Sequence, residues 1–167
     1  MNSTNQDIER IIQKAVLKAV ELNPVIPIKT IRDFEQLYDV VFPDELASFY
    51  TMIGNGGVMI DGFTLKRFED LAIDIENVKE EFILEKYLVW EDESDDVNFE
   101  EIFKGYIELI DIGDAMTWNI IINGKERGNM WYFTEVGVSP CFPSMSFLSW
   151  YEYWLDGNED FFSEYQD

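Results

Sequence analysis

Apolar residues recur at helical spacing in the first third of the chain. Residues 7–22 (DIERIIQKAVLKAVEL) carry one apolar face, with acids early and lysines late, as the helix dipole favours. Residues 30–38 predict a second helix with Thr30 as its N-cap. A third helix is predicted to begin at Pro43 and to end at Gly54. Its apolar stripe consists of Leu46, Phe49, Tyr50 and Ile53.

The turn after the third helix is rich in glycine. Asn55, Gly56 and Gly57 tolerate positive φ, so the chain can reverse there and enter a strand at residues 58–60. A phosphate-binding loop is the functional alternative. Such loops place their glycines before a helix, where free N–H groups face the anion, whereas these glycines follow one. We therefore interpret the turn as a helix stop.

Strand patterns dominate the second half of the chain. Asp61 and Gly62 mark a hairpin, and residues 67–91 predict a long middle helix. Alternating, β-branched or aromatic runs predict strands at residues 106–112, 117–122, 129–133 and, at an edge, 136–142. Residues 146–155 predict a closing aromatic helix. Together these elements predict one α+β domain, an antiparallel meander sheet flanked by N-terminal, middle and C-terminal helices.

The charge of the chain says more about its binding partners than its length does. The 167 residues are 47% hydrophobic and include 13 Phe, 8 Tyr and 5 Trp, enough for one packed domain with aromatic residues left for an interface. The net charge is −22, and residues 68–103 contain 14 acids against two lysines. Such a field repels nucleic acid and anionic membranes and attracts a basic protein. Acidity that serves only solubility is the simpler alternative.

The acids are densest in residues 91–101 (EDESDDVNFEE), which contain no basic residue. A calcium loop is one reading, because Asp92, Ser94 and Asp96 alternate as its first ligands would. Val97, however, stands where such a loop needs glycine. We instead predict a solvated acidic segment that docks a basic partner. The predicted docking residues are Glu91, Asp92, Glu93, Asp95, Asp96, Glu100 and Glu101.

The composition gives little support for catalysis. The chain has no histidine, and its single cysteine, Cys141, lies among apolar residues typical of a core. Paired carboxylates could serve a glycosidase, but 34 acids single out no pair. We expect a binding protein without catalytic residues, metal or cofactor. The first residues lack the pattern of a secretory signal and no apolar run could span a membrane, so we expect a cytoplasmic protein.

The third helix and its turn resemble the signature of the SUKH superfamily. In that family the helix opens with Leu-Pro or Phe-Pro, has an apolar and aromatic body and closes with Asn-Gly-Gly. The matching positions are Phe42, Pro43, Phe49, Asn55, Gly56 and Gly57. Later matches to a strand-ending Ile-Gly-Asp, a hairpin and a closing helix are Ile112, Gly113, Asp114, Gly124, Gly128, Ser146, Phe147 and Trp150. The chain departs from the family at Ala115, where many members have a glycine-containing turn.

The resemblance covers residues 30–157 of one domain spanning residues 1–167. An N-terminal helix and connector, residues 1–29, precede it, and an acidic tail, residues 158–167, follows. It implies structural roles for the motif residues. It also implies a bacterial immunity protein that occludes the active site of a cognate toxin domain such as a basic nuclease. The negative charge favours a monomer, whereas the aromatic closing helix could equally form a homodimer. The fungal branch implies the alternative of a regulatory scaffold, and a small-molecule-binding domain is a third possibility.

Overall fold

The computed structural model describes residues 5–92 and 97–162 and, at Asp92, the backbone alone. Its helices are α1 (Asn5–Leu17), α2 (Ile28–Tyr38), α3 (Asp44–Ser48), which continues as a π-helical turn (Phe49–Ile53), α4 (Ile75–Val78), α5 (Phe99–Ile102) and α6 (Phe147–Leu155). Short 3-10 turns lie at Ile60–Gly62, Phe68–Asp70 and Trp90–Asp92. Its strands are β1 (Gly57–Val58), β2 (Thr64–Leu65), β3 (Leu88–Val89), β4 (Tyr106–Gly113), β5 (Met116–Ile121), β6 (Met130–Phe133) and β7 (Gly137–Pro140).

The strands confirm the predicted α+β class and the antiparallel meander. β1 and β2 form the predicted hairpin, and its turn residues Asp61 and Gly62 both take positive φ. The other five strands form one sheet in the order β3-β7-β6-β5-β4, and every neighbouring pair is antiparallel. The strands from β4 to β7 thus lie side by side in chain order.

The sheet separates two apolar clusters. Trp118 and Met130 point to one face, where α1, α3 and α6 pack. Ile121 and Trp131 point the other way and belong to a second, smaller cluster. We call the two sides the helical face and the opposite face.

β4 breaks its own alternation and ends in a tight turn. Leu109 and Ile110 are both completely buried, although adjacent residues of a regular strand point to opposite faces. A register shift between Glu108 and Ile110 marks a β-bulge, which lets both side chains enter the core of the helical face. Asp114 and Ala115 then take φ of 51° and 59°, so the chain turns in two residues even without the glycine of the resembled family.

The predicted helix over residues 67–91 is wrong. The structure has α4 and a 3-10 turn in the first half of this range and β3 near its end. The Asp74 carboxylate accepts hydrogen bonds from the N–H groups of Glu76 and Asn77, which starts a new helix at this point. After α4 the chain leaves helical geometry and buries Phe82 against the opposite face of the sheet. The helical spacing of the apolar residues does not reveal that Phe82 has to pack against the sheet.

The prediction that β7 is an edge strand is also wrong. β3 pairs with it, placing Leu88 opposite Val138 and Val89 opposite Gly137. Pro140 lies beyond the stretch that β3 covers. Its missing N–H therefore removes no hydrogen bond from this pairing, and the proline is compatible with an interior strand.

Two helix boundaries differ from those predicted. α1 ends early because Ala19 takes a φ of 53°, and Leu22 then forms an isolated bridge with Gly57 instead of a helical turn. α2 begins earlier than predicted, with Pro27 rather than Thr30 at its N-cap. The proline ring fixes φ near −65°, which is the value observed at this N-cap, and no side chain caps the helix.

The third helix ends at Gly54 as predicted, but for another reason. Gly54 is extended, with φ of −177°, and a Cβ there would lie 2.9 Å from the Cβ of Leu22. The backbone at Gly54 lies so close to Leu22 that only glycine fits there. Asn55 does not take positive φ. Its buried side chain instead accepts a 2.8 Å hydrogen bond from the N–H of Phe68 and donates one of 2.9 Å to Glu69.

Candidate protein-binding surface

A segment rich in acids, which includes the edge strand β3, packs on the opposite face of the sheet. We call its described residues, 79–92 and 97–104, the acidic cover. The ring of Phe82 lies 4.8 Å from that of Trp131 in an edge-on arrangement. Phe103 packs against the same apolar cluster. Aromatic contacts thus attach the acidic cover to the sheet.

Backbone contacts hold the acidic cover close to the chain beneath it. The N–H of Phe82 donates to the carbonyl of Asn123 at 2.9 Å, and the N–H of Trp90 donates to the carbonyl of Val136 at 2.8 Å. Gly105 has a φ of 71°, and a Cβ there would lie 2.5 Å from the carbonyl oxygen of Glu80. Only glycine meets both conditions without strain.

Three rings on the acidic cover form a partly exposed group, which we call the aromatic cluster: Trp90, Phe99 and Phe103. Trp90 meets Phe99 edge-on at 5.0 Å, and Phe99 stacks on Phe103 at 6.2 Å. Phe99 is 48% exposed, and the other two are half-buried. Partly exposed aromatic rings held by their neighbours are typical anchors of protein interfaces.

Exposed acids share the short helical elements that hold two rings of the aromatic cluster. Glu91 lies in the 3-10 turn that holds the tryptophan of the cluster, while Glu100 and Glu101 follow Phe99 in α5, and all three acids are exposed. The side chain of Asn98 accepts a hydrogen bond of 3.1 Å from the N–H of Glu100 and so caps α5. The turns that carry the rings therefore also carry the acids.

The structure places three of the seven predicted docking acids completely, namely Glu91, Glu100 and Glu101. It gives the backbone of Asp92. Glu93, Asp95 and Asp96 lie outside the described residues.

The carboxylates of the acidic cover have little local neutralisation. Among the described side chains of residues 79–91 and 97–104, the one ion pair within 4 Å joins Glu85 to Lys125 at 3.3 Å, and both of these side chains are more than half exposed. Such a pair contributes little to stability. The surface therefore offers negative charge to a partner.

Sequence analysis identified the acids of this surface but missed the aromatic cluster. Phe99 and Phe103 are four residues apart, a spacing that brings both to one side of a short helix. Trp90 reaches them only because β3 pairs with β7 and directs the following turn toward α5. The two-residue β3 has no pattern of its own that would predict this.

The SUKH-like motif residues serve packing and chain reversal. Phe42, Phe49 and Trp150 are buried in the core of the helical face. At Gly56 and Gly57 a Cβ would collide with backbone carbonyl oxygens, so the turn admits no side chain. The other positions form the N-cap of α3 (Pro43), the buried amide described above (Asn55) and the β4–β5 turn (Gly113 and Asp114).

Metal binding and membrane crossing find no support in the described part of the chain. No group of three or more Cys, Asp or Glu side chains in residues 5–92 and 97–162 could hold a metal ion. Within these same limits, no helix has the length and apolar character needed to cross a membrane. Cys141 is completely buried, as predicted, and burial raises the pKa of its thiol, which opposes a reactive thiolate.

Comparison with known proteins yields no match: no protein-family model, no curated protein and no solved structure is similar to this chain.

Proposed function

We propose that this protein is an immunity protein, which binds a cognate toxin domain in the cytoplasm and occludes its active site. One observation carries the proposal: the elements that hold the partly exposed rings of Trp90 and Phe99 also hold exposed acids that form no ion pair with a described residue. We propose a basic nuclease as the toxin, because its phosphate-binding lysines and arginines would complement these acids.

Binding would occur in two physical stages. The charge of −22 accelerates encounter with a basic protein and orients it toward the densest acids. Burial of Phe99 and its neighbours then supplies most of the affinity, since a few central aromatic residues usually dominate an interface. Acids that cover the toxin's phosphate-binding residues would exclude nucleic acid from its active site.

The SUKH-like sequence motif supports the biological role rather than the binding surface. Its aromatic residues Phe42, Phe49 and Trp150 lie in the core of the helical face, whereas the acidic cover packs on the opposite face. A shared scaffold with a separate, variable surface would suit proteins that recognise different toxins. The acidic cover is the proposed variable surface of this chain.

Capture of the partner from the native cell, with the full-length chain as bait, tests this function. Three baits are needed: the wild type, a cover variant with Glu91, Glu100 and Glu101 changed to Lys, and a control variant with Glu9, Glu21 and Glu159 changed to Lys. All six residues are exposed, so both variants change the net charge equally.

We expect the wild type and the control variant to retain one basic protein at low salt. Expression of that protein alone should kill cells, and co-expression of the wild type should rescue them. The cover variant should neither retain the protein nor rescue the cells. Recovery only of non-toxic housekeeping proteins would contradict immunity and favour a regulatory scaffold. Equal loss in both variants would contradict docking on the acidic cover.

A further inference from the structure

We propose that a small pocket between α4 and β4 accepts an arginine side chain of the partner. The pocket has a volume of about 180 Å³, and Asp74, Phe103, Tyr106 and Glu108 are among its lining residues. This inference rests on the proposed function, because it assigns the partner's anchor residue to a site beside the acidic cover.

Two carboxylates of the pocket are fixed by their surroundings. Oδ1 of Asp74 caps α4, and its Oδ2 accepts a hydrogen bond of 2.8 Å from the side chain of Asn77. Oε2 of Glu108 pairs with Lys66 across the sheet edge. Oε1 of Glu108 has no donor among the described residues, so it can accept a hydrogen bond from a guanidinium group.

The aromatic lining also suits a cation. Phe103 and Tyr106 lie 6.3 Å apart at an angle of 69°, so a planar cation beside them would contact the π-system of a ring. The Tyr106 hydroxyl forms no hydrogen bond within the described chain. Burial, followed by the charges of Glu108 and Asp74, raises its pKa, so the hydroxyl stays neutral and available near neutral pH.

The pocket is continuous with the proposed docking surface through one ring. Phe103 lines the pocket and also stacks on Phe99 of the aromatic cluster. A protein seated on the aromatic cluster would therefore bring nearby side chains to the mouth of the pocket. Arginine fits the lining better than lysine, because a guanidinium group can stack on a ring while donating to a carboxylate.

A probe that contains no partner protein tests the pocket by itself. N-acetyl-arginine methylamide would be titrated into the full-length protein while NMR follows the ring signals of Tyr106 and Phe103 and the amide of Gly105. The matched probe is N-acetyl-citrulline methylamide, which has nearly the same shape and no charge. We expect saturable shifts with the arginine probe, with a Kd on the order of millimolar, and none with the citrulline probe.

Single substitutions show which carboxylates bind the arginine probe. Glu108→Gln should weaken binding of the arginine probe about tenfold, the effect of losing one charge-assisted hydrogen bond. Asp74→Asn keeps an acceptor for the α4 cap and should also weaken binding. Glu76→Gln, a neighbouring exposed acid that does not line the pocket, should change the Kd less than about twofold.

Three results would overturn the inference: shifts that do not saturate, equal shifts from the two probes, or equal weakening by Glu76→Gln and Glu108→Gln. A failed probe titration would leave the capture experiment unaffected. Conversely, recovery of no toxin would refute immunity without changing the probe result, so failures of the two proposals can be distinguished.

Discussion

Carboxylates are paired with basic side chains at the α1–α6 contact, whereas those of the acidic cover are left almost unpaired. At the first, Nε of Arg10 lies 2.7 Å from a carboxylate oxygen of Glu152, and Lys14 lies 2.9 Å from Glu152 and 2.7 Å from Asp156. At the second, the exposed carboxylates have the single weak ion pair of Glu85 among the described residues. Hydrogen bonding to Arg10, more than any other effect, holds the pKa of Glu152 below its ordinary value.

This difference shows that the basic residues are not distributed to neutralise the most acidic region. Two of the few cations stabilise a contact between helices distant in sequence, while the densest acids are left to solvent. Unpaired like charges repel one another, so they weaken the compact state. We propose that a function outside folding accounts for keeping them.

The largest effect should come from removing the aromatic anchor of the acidic cover. Phe82 is 1% exposed, so we expect Phe82→Ala to lower the free energy of unfolding by about 4 kcal/mol. Phe99→Ala, at a residue 48% exposed, should cost about 1 kcal/mol or less. Urea denaturation measures both. Equal losses would mean that Phe99 is a core residue, not an anchor kept for a partner.

A somewhat smaller effect is expected at the glycine beneath the acidic cover. Gly105→Ala combines a positive φ with collisions against the backbone of Glu80 and Phe82, and should cost about 3 kcal/mol. Gly62→Ala is the control, because Gly62 has a φ of 81° and a Cβ added there would meet nothing within 4 Å. It should cost about 1 kcal/mol in the same urea assay. If the two substitutions lowered the free energy of unfolding equally, the close packing beneath the acidic cover would add nothing to stability.

At the α1–α6 contact the effect should depend on pH. The folded-state pKa of Glu152 is lowered, so its pairing stabilises the protein above its ordinary pKa of about 4.3 and is lost as pH falls through the folded-state value. Arg10→Met should therefore cost about 1 kcal/mol at pH 7 and progressively less below pH 4.3. Lys18→Met, at an exposed residue, is the control. A cost independent of pH would show that Arg10 acts through packing.

The smallest effect on stability should come from the docking acids themselves. Changing Glu91, Glu100 and Glu101 to Lys should alter the free energy of unfolding by less than about 0.5 kcal/mol, or raise it slightly at low salt, because these exposed acids repel one another. Thermal unfolding at low and high salt measures this. A loss of several kcal/mol would mean that the acids maintain the fold.

The sequence predicts those parts of the fold whose local signals agree with their tertiary surroundings. Asp61 and Gly62 located the β1–β2 hairpin, and the alternating pattern of residues 106–112 located β4. The closing helix likewise begins after Ser146, and Gly157, with a φ of 89°, follows its end. In each case a few adjacent residues determine the backbone.

The acidic cover could not be predicted in this way. Leu88 and Val89 form a strand only because Gly137 of β7 lets their backbone approach closely. Phe82 is held by Trp131, which lies far along the chain in β6. The density of acids led us to predict a docking segment, but it contained no information about the aromatic cluster, which distant contacts assemble.

Amide hydrogen exchange of the full-length protein, with and without the captured basic partner, tests the docking surface most directly. We expect slower exchange in residues 79–92 and 97–105 on binding, and little change in α1 and α6. Protection of α1 and α6 with an unchanged acidic cover would contradict the account and place the partner on the other side of the molecule.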